Sequence, residues 1–398
     1  MYPGTHRLSE GFGSMSLLFF LVACLIIYGG LYPFEFSQAG VDQAAVAAFL
    51  SSWNARSGWG DILGNIVLFI PFGLLGQLTL PPRRNRLTRF LLLTLLSFII
   101  ATGLQVLQIY LPTRVPALTD VIWNMVGMVI GALLAFSPRI QAVVAGQRLA
   151  AAKVVPVLLL GSWIGSLLIP ILPSIDMQVF KDSLKPLILR PVFDFDAFIR
   201  DFPAWLAAAC LGAFVVGERG LPIKFAVAVL VTLALKIMVV NNPLVVTDVA
   251  AGAAAIVAFA AVIRHLPRRE GVVAVMLLTA HAYLGLSPFE ARMDAPAFYW
   301  MPFGRFLAGS MLINATALTY KVFFYGSLVW LLLRNGQGYV LAAGITIVAA
   351  GAVEIGQLYI GHGTPDITDP ILALMATAAL AALTPKQTPV RKTMAPAT

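Results

Sequence analysis

Twelve apolar runs, spread over nearly the whole length, constrain this chain more than any other feature. They cover, approximately, residues 14–31, 61–80, 89–110, 120–137, 154–172, 203–217, 222–240, 248–264, 272–286, 311–333, 338–359 and 370–384. A bilayer core about 30 Å thick takes about 20 mostly apolar residues as one helix, and within it each backbone group must find its partner inside the protein. The runs therefore predict an all-α integral membrane protein, with 203–217 and 272–286 short for a full crossing. Composition agrees: 59% of the 398 residues are hydrophobic and 11% are charged, where soluble domains carry about 25% charge.

The net charge of +9 reads as cytoplasmic loops in such a chain, not as a nucleic-acid surface. With the N-terminus inside, one face collects Arg7, Arg83, Arg84, Arg86, Arg89, Arg139, Arg148, Lys153, Arg219, Lys224, Arg264, Arg268, Arg269, Arg334, Lys386, Arg391 and Lys392. Glu10, Glu218 and Glu270 share that face, and the other acids fall at or near the opposite one. A miscount by one helix would scramble this segregation, so both termini are expected in the cytoplasm of a bacterial cell (inner) membrane protein. The run after His6 and Arg7 resembles a signal peptide, but no small-x-small cleavage site closes it, which predicts an uncleaved first helix. Cys24 and Cys210 lie in apolar runs and read as small buried hydrophobes. Neither metal-type Cys spacing nor a Gly-rich phosphate loop is present, and no cofactor is expected.

The stretches "LPTRVPALTDVIWNMVG" and "YIGHGTPDITDPILALM" belong to an ungapped alignment. In it Gln105 falls on Glu354, Gln108 on Gln357, Tyr110 on Tyr359, Pro116 on Pro365, Thr119 on Thr368 and Asp120 on Asp369. Upstream, "LYPFEF" at Leu31 matches "LSPFEA" at Leu286, each just after the first helix of a group of four. The Thr247-Asp248 step of "NPLVVTDVAAG" marks a weaker middle copy. The chain thus reads as about twelve transmembrane helices in three parallel four-helix repeats: 1–140, 150–266 and 270–386, with 387–398 a cytoplasmic tail. An even helix count per unit gives each copy the same orientation. Between the first two helices of each unit lies an amphipathic segment suited to the interface: "VDQAAVAAFLSSW", "FDFDAFIRDF" and "APAFYWMPFGRFL". Arg56, Arg200 and Arg305 end or interrupt them.

At these residues the sequence resembles the VanZ-like family, membrane proteins named for an accessory teicoplanin-resistance protein. Three pieces carry the resemblance: Tyr32-Pro33-Phe34; the helix with Asp61, Asn65, Pro71, Phe72 and Gly73; and Gln105, Gln108, Arg114, Asp120, Asn124 and Gly127. Gln105 stands where the family usually has Glu. Unit three keeps Glu354 and Gln357 but has Gly363 at the Arg position and Ala373 at the Asn position, and unit two keeps only Asp248. The resemblance implies a cell-envelope role and an effect on glycopeptide susceptibility, without a reaction or transport substrate.

Asp120, Asp248 and Asp369 each begin an apolar helix, and Pro370 follows Asp369, a pattern of helix capping. Several helix N-termini at one face also favour anions. Arg114 and Arg56 beside them could hold a phosphate or carboxylate in bidentate fashion, or snorkel to headgroups. Lys321 lies near mid-bilayer, where a cation needs a partner, and Glu354 on the adjoining helix is the expected one. Lys236, near a helix end, is expected to snorkel. His362 with Asp366 and Asp369 carries a weak metal or acid–base flavour. Gly127 and Gly131 predict close helix packing.

The site expected at the outer face therefore comprises Arg114, Asp120, Asn124, Gln105, Gln108, Asp61, Asn65, Glu354, Gln357, His362, Asp369 and Lys321. Its expected partners are membrane lipids, including polyprenyl-phosphate-linked glycan precursors. A transporter or lipid flippase is the alternative, and an enzyme using Glu354, His362 and Asp366 ranks third.

Overall fold

The computed structural model describes residues 5–38, 43–54, 58–79, 85–138, 140, 148–293, 296–308 and 311–383. Arg56 and the tail 387–398 lie outside them. The regular structure of the described residues is helical, with isolated bridges instead of strands. The first third holds α1 (Thr5–Leu31), α2 (Gln43–Leu50), α3 (Trp59–Thr79), α4 (Arg86–Gln108) and α5 (Leu118–Leu134). The middle holds α6 (Arg148–Leu168), α7 (Met177–Ile188), α8 (Phe195–Val216), α9 (Leu221–Ile237) and α10 (Val246–Ala261). The last third holds α11 (Arg269–Leu286), α12 (Gly304–Ala308), α13 (Met311–Arg334), α14 (Tyr339–Gly356) and α15 (Thr368–Leu383). Each of the twelve apolar runs falls on one of these helices. Six described helices, within α3, α4, α8, α10, α13 and α14, are long and apolar enough to cross a membrane. Shorter apolar stretches occupy α1, α5, α6 and α15.

Packing is closest between α3 and α5. A Cβ on Gly73 would stand 2.1 Å from the Met128 carbonyl oxygen. On Gly127 it would stand 2.2 Å from the oxygen of Ile66, and on Gly131 2.0 Å from that of Ile70. The two backbones are in direct contact, so the glycines serve packing within the chain. Pro71 lies inside α3, which continues through it. One core of Ile26, Phe69, Phe72, Leu93 and Met128 belongs to the first third. A second, continuous core runs through the other two thirds, from Leu159 and Trp163 through the buried face of α8 to Phe323, Leu331 and Leu380. The two meet where the Tyr28 hydroxyl donates to the Pro302 carbonyl at 2.5 Å and the Tyr32 and Tyr299 hydroxyls lie 3.4 Å apart.

One interfacial segment differs from expectation. "FDFDAFIRDF" does not lie flat as a separate helix: it runs into α8, whose N-cap Asp194 accepts from the Ala197 N–H. The amphipathic helix of the middle third is α7, upstream. Gln178, Lys181, Asp182 and Lys185 recur at helical spacing along one face of it, with Val179, Phe180 and Leu184 among the apolar positions between them.

The turn after the first helix of each third recurs. The N–H of Phe34 donates to the Leu31 carbonyl, that of Ile171 to Leu168 and that of Phe289 to Leu286, at 2.7–2.8 Å. All three residues have positive φ, between 53° and 66°. Four residues past the turn's proline, the Ser37 N–H donates to Tyr110, Ser174 to Met238 and Arg292 to Tyr359. Each acceptor lies ten residues before Asp120, Asp248 or Asp369 respectively. Within each third these bonds bring the aspartate, the loop before it and the end of the first helix together.

Candidate functional site

The carbonyls closing each first helix need donors, because the last turn of a helix leaves its acceptors unmatched. Gln108 Nε2 donates to the Gly30 carbonyl at 2.8 Å, and Gln357 Nε2 does the same for Gly285 at 3.0 Å. Arg114 Nε donates to the Tyr32 carbonyl and Nη2 to that of Gly29, both at 3.1 Å. Asn242, six residues before Asp248 as Arg114 is before Asp120, donates from Nδ2 to the Leu167 carbonyl at 2.7 Å. In the last third that position is Gly363. Arg292 comes from the other side, its Nη1 donating to the carbonyls of Gln357 at 3.2 Å and Gly363 at 2.5 Å. Arg114 is thus engaged with the backbone of α1, and the anion-holding alternative loses its two best-placed nitrogens.

The opposite need arises at the N-termini of the last helices, where N–H groups lack acceptors. Gln105 Oε1 accepts from the Ala117 N–H at 2.9 Å, and Glu354 Oε2 from the equivalent Asp366 N–H at 2.7 Å. Ser52 Oγ takes the Leu118 N–H at 2.8 Å, and Asp366 Oδ1 takes the Thr368 N–H at 2.7 Å. The capping oxygen of α15 therefore comes from Asp366 rather than Asp369. The repeated Thr-Asp step also has a use: Thr247 Oγ1 accepts from the Asp194 N–H and Thr368 Oγ1 from the Phe303 N–H, tying each last helix to the entry of the second.

The three aspartates differ in what neutralises them. Asp248 reaches back to the Val245 N–H at 3.0 Å and pairs with Lys236 at 2.6 Å, both side chains largely buried. Lys236 does not snorkel, because the partner lies one helix away. Asp369, 6% exposed, pairs with Lys321. The expected Lys321–Glu354 pair is corrected accordingly: Glu354 sits at the end of α14, where its carboxylate turns to the Asp366 N–H, leaving Lys321 for α15. Asp120 meets amides instead, the side chains of Asn65 and Gln105, with the charge of exposed Asp61 also reaching it. Asn124, one turn further along α5, is 3% exposed and its Oδ1 lacks a hydrogen-bond partner. Among the described residues no cation pairs with Asp61 or Asp120.

His362 is exposed at the rim, 3.7 Å from Glu290 and apart from the Lys321–Asp369 pair. No group of three metal-ligating side chains occurs among the described residues. Arg200 pairs with buried Asp201 at 2.7 Å and lies over the Tyr320 ring, and Arg305 lies over the Tyr299 ring. Sequence reasoning missed Asp201 and Arg292. Arg292 aligns with Ser37, so the repeat pointed to its place but not to its reach.

Beside the polar cluster, α4 and α5 leave a groove of about 570 Å³. Leu50 and Trp53 stand at one end, Phe98 and Thr102 on α4, and Leu118, Val121, Met125 and Val129 on α5. Thr102 apart, these are apolar.

Long apolar helices, six of them long enough to cross a bilayer, define an all-helical, multi-pass membrane type of protein. Within it, residues 14–141 match the VanZ/LLP1 family model. No curated protein and no solved structure matches the chain.

Proposed function

We propose that this is a VanZ-like protein of the bacterial cell (inner) membrane that binds envelope lipids at its outer end. Its twelve apolar helices cross the bilayer as three parallel four-helix units with both termini cytoplasmic. The recurring turn, the recurring N–H bond to the residue ten before each aspartate and the matched Gln108 and Gln357 bonds support three units. The gathering of basic residues at the opposite helix ends supports the orientation.

The observation that carries lipid binding is the groove between α4 and α5. Its volume of about 570 Å³ lies within the range of ligand sites, about 300–1,000 Å³. Leu118 and Val121 of its lining flank Asp120 in the sequence, and in this reading the headgroup of a chain held in the groove reaches the polar cluster over the N-terminal end of α5. A preference for anionic heads, including polyprenyl phosphates, depended on a free Arg114, and the bonds to Gly29 and Tyr32 weaken that part. An influence on teicoplanin susceptibility belongs to the same proposal through the family match.

Native mass spectrometry of the protein in mild detergent tests it, wild type beside Met125→Trp and Val129→Trp, which fill the groove. Lipid retained by the wild type and lost from both variants is the expected result. Equal retention by all three removes the groove from the proposal. The transporter reading draws on the ion pairs Arg200–Asp201 and Lys321–Asp369 inside apolar helices. Translocation of labelled lipid in reconstituted vesicles would bring it forward.

A further inference from the structure

The three aspartates occupy equivalent places, which makes their differences informative. Lys236 balances Asp248 and Lys321 balances Asp369, but among the described residues Asp120 meets the amides of Asn65 and Gln105, with a second carboxylate, Asp61, within range. Arg114, the nearest described cation in the sequence, is turned onto the carbonyls of α1. Gln105 Oε1 is committed to the Ala117 N–H. What remains is an excess of acceptors: two carboxylates, and Asn124 Oδ1 on the Asp120 face of α5, buried and without a donor. A buried acceptor left unmade costs about 1–3 kcal/mol, so an oxygen in that position is a place for a donor.

We infer that this cleft takes a primary ammonium group, carried by a lipid headgroup whose chain lies in the α4–α5 groove. The inference rests on the lipid reading above. A primary ammonium supplies one positive charge and three N–H donors, matching Asp61, Asp120 and Asn124. A quaternary ammonium offers no N–H and is held by aromatic faces instead. A phosphate or glycerol head brings no cation. The site thus selects an aminophospholipid over choline and anionic lipids, the reverse of the anionic preference expected from Arg114.

The test uses the full-length protein, stripped of lipid in detergent. Phosphatidylethanolamine, phosphatidylcholine and phosphatidylglycerol are added singly and retention is read by native mass spectrometry. The expected result is a preference of about tenfold for the ethanolamine lipid, a size typical of one charge-assisted contact. Asp120→Asn abolishes the preference and leaves the other two lipids unchanged. Asp61→Asn, at an exposed position where folding is not at stake, lowers it as well, and this variant decides the matter if Asp120→Asn aggregates. Equal retention of the three lipids by the wild type, or an unchanged preference in Asp61→Asn, overturns the ammonium inference while lipid binding stands. Retention of none overturns both. Displacement of the ethanolamine lipid by magnesium chloride alone makes the cleft a metal site and also overturns the inference.

Discussion

Gly127 and Gly131 show how much one missing carbon decides. Each lies against a carbonyl of α3, so any side chain there must push two helices apart rather than bend a flexible neighbour. Gly127→Ala is expected to destabilise the protein by about 1–3 kcal/mol, the range for overpacking, measured by thermal unfolding in detergent. Gly103, with nothing within 4 Å of its Cβ position, is the matched control and should tolerate alanine. The Lys321–Asp369 pair makes a second residue-scale case. Removing one partner strands a charge against an apolar interior, at about 3–5 kcal/mol when fully buried and less here because Lys321 is partly exposed. Asp369→Leu alone is expected to cost more than the double change Lys321→Met with Asp369→Leu, and a double-mutant cycle measures the difference.

For the helices, the recurring problem is how ends are satisfied. The first helix of each third closes on side-chain donors from near the last helix: Arg114 and Gln108 in the first, Asn242 in the second and Gln357 in the third. Arg114→Ala should therefore act through stability. The expected loss is about 1–3 kcal/mol, that of two carbonyls without donors, and it should be insensitive to added phosphate. A phosphate-dependent rise in the wild-type melting temperature, absent in the variant, would restore the anion-binding role. Much of this was legible beforehand. The alignment of Gln105 with Glu354 and Gln108 with Gln357 marked positions that carry the same bonds in both thirds. Which atoms they meet was not legible, because a capping side chain is defined by a helix end distant in sequence.

Across the whole molecule, two hydrophobic cores meet at a small aromatic contact. Hydrogen bonding to Tyr299, together with burial, raises the Tyr32 phenol from its ordinary value to about 12. A raised value means that the folded state holds the proton more tightly. The contribution to stability is thus complete below the ordinary tyrosine value and disappears as pH rises through about 12. Tyr299→Phe is expected to return the Tyr32 titration toward an ordinary tyrosine, read by tyrosinate absorbance. It is also expected to loosen the first third from the last, read as faster amide exchange around Tyr28. An unchanged titration would remove Tyr299 as the cause.

The apolar runs by themselves determined an all-helical chain of membrane type, because a continuous apolar run of about 20 residues matches a bilayer-crossing helix, which satisfies its backbone hydrogen bonds within itself, and not the shorter alternating strand of a barrel. Local sequence also marked the repeated loop and the motifs of the first third that match the VanZ/LLP1 model, since turns and helix starts are written in neighbouring residues. Partner choice was decided only in three dimensions. Lys321 could have met Glu354 or Asp369, and Arg114 could have met an anion or a helix end. A charge in a low-dielectric interior goes to whichever counter-group the packing brings within reach, and that is a property of helix placement rather than of spacing along the chain.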